Sequence, residues 1–193
     1  MLRNLFLCTL VGIVFFLSGK EVSARQIENL SSLAFDASAG SLLVGTSHGL
    51  YESRDEGRNW EKRTLKGNMR GNEFMTVVAD PSNPKVIYAG GHDLSVIKSV
   101  DGGVTWGEEA KGLPTKAIRA LAIDPTKPNT LHAWAGEHGL YRTKNGAKDW
   151  SRVDVGPDHE MTSLTSVPIP TGMGGIYLYA GTAAGLFRSP DCF

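Results

Sequence analysis

Short apolar runs separated by turn-forming clusters recur along this chain from about residue 27 to its end. Leu33-Ala34-Phe35-Asp36, Val77-Val78-Ala79-Asp80 and Leu121-Ala122-Ile123-Asp124 each predict a short strand closed by an acid, and these acids stand 44 residues apart. Pro81 and Pro125 follow the second and third acids, with Pro84 and Pro128 three residues later. Asp-Pro-x-x-Pro is turn chemistry, because proline fixes φ and cannot donate to a ladder. A fourth unit departs from this, with Pro168 where the next acid should fall. Second strands are predicted at 41–45, 86–90, 130–136 and 176–181, each rich in apolar and β-branched residues and ending in glycine. Third strands follow at 49–51, 95–97, 139–141 and 185–187, and a fourth opens at a tryptophan, most clearly at Trp150-Ser151-Arg152-Val153. Polar linkers at 62–72, 108–116 and 154–161 lead to the next unit. No helical periodicity of useful length appears.

Between third and fourth strands lies a box of the form S-x-D-x-G-x-x-W. It reads SRDEGRNW from Ser53 to Trp60, SVDGGVTW from Ser99 to Trp106 and, more loosely, TKNGAKDW from Thr143 to Trp150. A fourth copy opens at Ser189-Pro190-Asp191. The first residues of the four boxes lie 46, 44 and 46 apart, a period that signals a repeat architecture. Ser, Thr, Asp and Asn side chains bond nearby backbone N–H groups and pre-form a turn. Gly57 and Gly103 supply positions suited to positive φ, and each tryptophan can bury a large ring between neighbouring sheets. This chemistry marks Ser53, Asp55, Gly57, Trp60, Ser99, Asp101, Gly103, Trp106, Thr143, Asn145, Trp150, Ser189 and Asp191 as structural residues of a hairpin staple.

Four strands per ~45 residues, repeated, is the signature of propeller blades. Through its boxes and the DPSNP and DPTKP turns the chain resembles the BNR/Asp-box repeat propellers. The expected fold is therefore an all-β propeller of about four blades, with units near 27–72, 73–116, 117–161 and 162–193. Asn145 replaces the acid and Ala147 the glycine in the third box, and the last blade is incomplete, lacking its tryptophan and outer strand. The resemblance implies rings of six or more blades. Four units leave three expectations: a tight ring, an open arc that pairs with a second chain as a homodimer, or a truncated ring from a longer gene.

Residues 1–24 read as a secretory signal peptide, with a basic start, an uncharged run over Leu5–Leu17 and the small-residue site Val22-Ser23-Ala24. The expectation is export, secreted or periplasmic, cleavage after Ala24 and no membrane span afterwards. The mature part, 25–193, keeps 18 basic and 19 acidic side chains, so no basic field points to nucleic acid. Cys192 is its only cysteine, which excludes an internal disulfide.

Candidate chemistry is sparse. His48, His92 and His138 fall in second-to-third-strand turns of different units, so no metal site is predicted. Glycoside hydrolysis needs two carboxyls about 5–9.5 Å apart, and the residues to weigh for it are Glu73, Asp158 and Glu160 in the between-blade loops. Gly45-Thr46-Ser47-His48-Gly49 fits G-x-S-x-G, but joins two strands where that motif needs a strand-to-helix elbow. Among similar families, sialidases use an arginine triad and an Arg-Ile-Pro motif that this chain lacks; Arg54, Arg58, Arg142 and Arg188 sit in or beside boxes. Xyloglucanase-type hydrolases look closer in their repeats, yet no catalytic acid can be carried over from them. Photosystem II assembly factors and sortilin-type receptors are also similar, and their rings act as platforms. The reading is a non-catalytic binding or assembly module without cofactor, with a protein or carbohydrate partner on loops opposite the boxes. The alternative is a fragment or degenerate relative of a glycoside hydrolase.

Overall fold

Among the described residues the predicted strand runs become strands, and these hydrogen-bond in sequence order within each unit, joined by loops of two to nine residues. The computed structural model describes residues 27–36, 39–67, 71–153, 157, 159–168 and 176–189. The expected signal peptide and Asp158 and Asp191 lie outside these residues.

The first blade holds β1 (Leu30–Asp36), β2 (Ser41–Thr46), β3 (Gly49–Ser53) and β4 (Glu61–Lys62), antiparallel in that order. After β5 (Lys66–Gly67) the second blade follows as β6 (Phe74–Ala79), β7 (Ile87–Gly91), β8 (Ser95–Ser99) and β9 (Thr105–Glu108). The third is β10 (Ala120–Ile123), β11 (Leu131–Trp134), β12 (Leu140–Thr143) and β13 (Ser151–Val153). The fourth shows β14 (Met161–Val167), β15 (Tyr177–Thr182) and β16 (Gly185–Arg188). The one helical element among the described residues is a 3₁₀ turn, Gly136–His138, and the second strand of unit three stops at Trp134, two residues short of its expected end at 136. Four sheets stand around an axis as a β-propeller, with β1, β6, β10 and β14 lining a common central channel. No hydrogen bonds among the described residues join the fourth sheet to the first.

One departure lies in the linker at 62–72. It contributes β5, which pairs in parallel with β9 of the next blade, Lys66 opposite Thr105 and Gly67 opposite Trp106. The linker thus caps the otherwise open outer edge of the second sheet.

Alternation assigns a job to each sheet face. In blade two, Val77, Ala89 and Ile97 lie across from one another and turn back to blade one, where they join Leu43 and Leu50 in one cluster. Val78 and Tyr88 occupy the other face and pack forward into the cluster containing Leu121, Leu131 and Ala133 of blade three. Leu178 and Ala180 of blade four close on Ala120, Ala122 and Leu140. Each tryptophan points backward. Trp106 (4% exposed) meets Phe74 edge-on at 6.4 Å within the cluster shared with blade one, and Trp150 (6%) lies in the cluster shared with blade two. Trp60 departs from the expected burial between sheets: it is half-buried, because no sheet precedes blade one among the described residues.

Candidate functional site

The boxes form side-chain-to-backbone networks of one design. In the second, Ser99 Oγ donates to Asp101 Oδ1 (2.8 Å) and accepts from Gly103 N (2.8 Å). Asp101 Oδ1 accepts from Thr105 N (2.8 Å), and its Oδ2 from the Thr105 hydroxyl. The first box repeats this with Ser53, Asp55, Gly57 and Asn59. In the third, Thr143 donates to Asn145 Oδ1 (2.9 Å), Ala147 N donates to Thr143, and Asp149 N donates to Asn145 Oδ1 (3.0 Å). An amide oxygen therefore does the acceptor's work of a carboxylate. The Thr105 hydroxyl and N–H hold the Asp101 carboxyl down to about 2, and the N–H and side chain of Asn59 do the same for Asp55. With every oxygen oriented by the turn, neither carboxyl is poised to take a proton near neutrality. Asp101→Asn is expected to keep most of the denaturant midpoint that Asp101→Ala loses; equal losses would contradict the acceptor role. Both folded values lie below the ordinary 3.8, so the carboxylates' stabilisation is present above that pH and lost as pH falls toward 2.

On the face away from the boxes, the second-to-third-strand turn of blade three and the linkers into blades three and four gather around a groove of about 660 Å³. Thr115, Arg119, Trp134, His138, Arg152 and His159 are among its walls. Trp134 is the residue that sequence reasoning passed over. It stands opposite Ala120 on β10, where blades one, two and four have Gly45, Gly90 and Gly181 opposite Ser32, Thr76 and Ser163. Gly45 and Gly90 admit the next blade closely: a Cβ there would meet Phe74 at 3.0 Å and Ile118 at 2.8 Å. Blade three presents an indole at that position, and the groove opens beside it. The available signal was this departure of Trp134 from its own repeat.

The ring of Trp134 is 7% exposed, and its Nε1 finds no acceptor among the described residues. Arg119 pairs with Glu160 at 2.6 Å across the groove, both side chains half-exposed, and Arg152 adds a second guanidinium. This wall carries an N–H, two guanidiniums and two imidazoles, together with the carboxylates of Glu137 and Glu160. Beneath it, His132 is 3% exposed opposite Arg142 on the face toward blade four.

The other candidates are scattered. Glu73 is exposed on the linker into blade two, and no described cavity is lined by both Glu73 and Glu160. The described channel wall bears no carboxylate. His48, His92 and His138 sit in separate turns, His92 beside Asp93 (3.4 Å) and His138 beside Glu137 (3.9 Å). No group of three metal-ligating side chains occurs among the described residues. Ser47 contacts His48 Nδ1 at 2.9 Å in a tight hairpin, where Thr46 donates to Gly49 O and no helix follows. Ser189 N–H bonds Leu178 O (2.8 Å), extending the last hairpin.

Residues 18–178 match the family model of the photosynthesis system II assembly factor YCF48. The chain belongs to this family. No curated protein matches it. Among solved structures, a YCF48 bound to a D1 peptide superposes with TM-score 0.53 at 13% identity, covering 83% of this chain and 48% of the YCF48 chain. An ancestral GH74 enzyme gives TM-score 0.60 at 18% identity, covering 84% of this chain and 23% of that one. The GH74 xyloglucanase from Xanthomonas campestris gives 0.60 and 18%, covering 84% and 29%. The YCF48-family chain thus spans less than half the length of these structures. They share its propeller fold.

Proposed function

We propose that this YCF48-family chain is an exported, non-catalytic binding module that takes a carboxylate-bearing protein segment in the groove between its third and fourth blades. The carrying observation is the groove wall itself, where the buried Trp134 Nε1 has no acceptor among the described residues and Arg119 and Arg152 both line the groove. Arg119 already holds one carboxylate, that of Glu160, at 2.6 Å. An incoming acid would displace it or pair with Arg152, and a guanidinium matches a carboxylate in planar, two-point geometry. The peptide complex of the solved YCF48 supports a protein segment as the ligand class.

Fluorescence polarisation against acidic and neutral decapeptides checks this reading. Acidic peptides are expected to bind and to lose about tenfold or more in affinity with Arg152→Ala, since a charge-assisted bond contributes roughly 1.5–3 kcal/mol. Glu160→Gln is expected to tighten binding by releasing Arg119. Unchanged affinity in both variants would sink the proposal. Hydrolysis of xyloglucan oligosaccharides, abolished by Glu160→Gln, would put the glycoside-hydrolase alternative in its place. Export is checked by the mature terminus, expected at Arg25.

A further inference from the structure

Asn145-Gly146 is the one asparagine–glycine step in the sequence, and it lies within the third box. An asparagine amide is chemically labile. The backbone nitrogen of the next residue attacks the side-chain carbon Cγ, ammonia leaves, and a cyclic succinimide forms. Solvent water then opens the ring at either carbonyl, giving aspartate or isoaspartate. Water enters, ammonia departs, and nothing is oxidised or reduced. Glycine in the following position favours the attack, because no Cβ shields its nitrogen or restricts the backbone.

In the folded chain both reacting groups are engaged elsewhere. Gly146 is buried, its N–H donates to Asn129 O at 2.9 Å, and its carbonyl accepts from Lys98 Nζ of blade two at 3.0 Å. Asn145 Oδ1 accepts from the Thr143 hydroxyl and from Asp149 N, while Nδ2 donates to Asp149 Oδ2 at 3.0 Å. Attack therefore requires the turn to open first. The third box also exchanges the acid and its donor. Asn59 donates to Asp55 in the first box and Thr105 to Asp101 in the second, whereas here the amide at 145 donates to the acid at 149. Deamidation would set a new carboxylate against Asp149 Oδ2, and like charges that close repel. Lys111 is bonded to the other oxygen, Oδ1, at 2.6 Å. Isoaspartate would in addition lengthen the backbone of the turn by one carbon.

We propose that Asn145 is a site of spontaneous deamidation gated by the opening of the third box. Closed, the box keeps the Gly146 nitrogen and the Asn145 amide apart in their own hydrogen bonds. Each local opening frees both, and conversion then replaces the donor that Asp149 needs, so the turn does not re-form as it was. The Lys98 contact makes the gate depend on blade two as well as on the turn itself. The second box is spared although Gly102 follows Asp101, because an ionised carboxylate is a poor target for a nitrogen nucleophile, and Asp101 is held down to about 2.

Peptide mapping by mass spectrometry, on the purified chain incubated at mildly alkaline pH with and without urea, tests this. The urea-unfolded chain is expected to convert Asn145, and Gly146→Ala in urea to keep it. The folded wild type is expected to convert about tenfold or more slowly than the unfolded chain, since reaction waits on local opening. Lys98→Met, shown to be folded by near-UV circular dichroism, is expected to convert faster than the folded wild type. Should it fail to fold, Thr143→Ala loosens Asn145 from within the turn, with the same expected rise. Asn145→Asp, the product itself, is expected to lower the urea midpoint. Adding Asp149→Asn is expected to recover most of that loss by restoring the order of the first box. Equal rates folded and unfolded would overturn the proposal, as would an unfolded chain that keeps Asn145. An Asn145→Asp midpoint equal to that of the wild type, or a folded Lys98→Met that converts no faster, would do the same.

Discussion

Replacing Trp106 by alanine is expected to lower the unfolding free energy by about 3–5 kcal/mol, the usual range for deleting a buried aromatic ring. The indole is 4% exposed, packs edge-on against Phe74, and donates from Nε1 to Gly103 O at 3.0 Å. Its loss would leave a cavity between two rigid sheets, which cannot collapse without breaking the ladder bonds on either side. Trp60→Ala removes the same atoms from the same repeat position but from a half-buried site, and is expected to cost markedly less. His92→Ala, in an exposed turn, should lie within the noise. Urea midpoints of the three variants, taken at one protein concentration, check the ranking. Equal losses for Trp106 and Trp60 would contradict the account of tryptophans reading backward onto a preceding sheet.

Acidification from pH 6.5 to 4.5 is expected to destabilise the fold through His132. Burial, followed by the charge of Arg142 and partly opposed by Asp124, pushes this imidazole down from 6.5 to about 4. The sign follows from linkage. The unfolded chain binds the proton at its ordinary pKa, while the folded chain refuses it until about pH 4. Stability contributed by the neutral ring is therefore complete above pH 6.5, declines as pH falls below that, and levels off near pH 4. At 1.36 kcal/mol per unit the loss approaches about 2–3 kcal/mol. His132→Asn is expected to flatten the profile over this window, at some cost in stability at pH 7. The Asp55 and Asp101 carboxylates act only below 3.8, so the two effects separate on the pH axis. A wild-type midpoint unchanged between pH 7 and 4.5 would show that His132 is not buried as described. Its position on the face toward blade four also means that acid would loosen the wall beneath the groove.

The repeat was legible because it is written in local chemistry. Asp80 and Asp124 each fold their own turn, accepting from Ser82 and its N–H or from Thr126 and its N–H at 2.7–2.8 Å. Such bonds span two residues and need no distant partner, so DPSNP and DPTKP announce themselves in one dimension. The same holds for Ser99 with Asp101 and Gly103. The β5 strand was not legible: Lys66-Gly67 is polar and short, and becomes a strand only because the free edge of β9 lies alongside.

Period and box chemistry by themselves determined the all-β class, the number of units and the order of strands within each. The tertiary structure alone decided what each repeat position touches. Trp60, Trp106 and Trp150 are equivalent in sequence, yet among the described residues only Trp106 and Trp150 have a sheet behind them. Trp134 reads as one more strand residue until Gly45, Gly90 and Gly181 are seen at its position. Glu160 reads as an isolated loop acid until Arg119 is found 2.6 Å away. Turns are set by bonds a few residues long, whereas grooves and joints are set by packing between sheets some 45 residues apart in sequence, and that geometry exists only once the sheets have assembled.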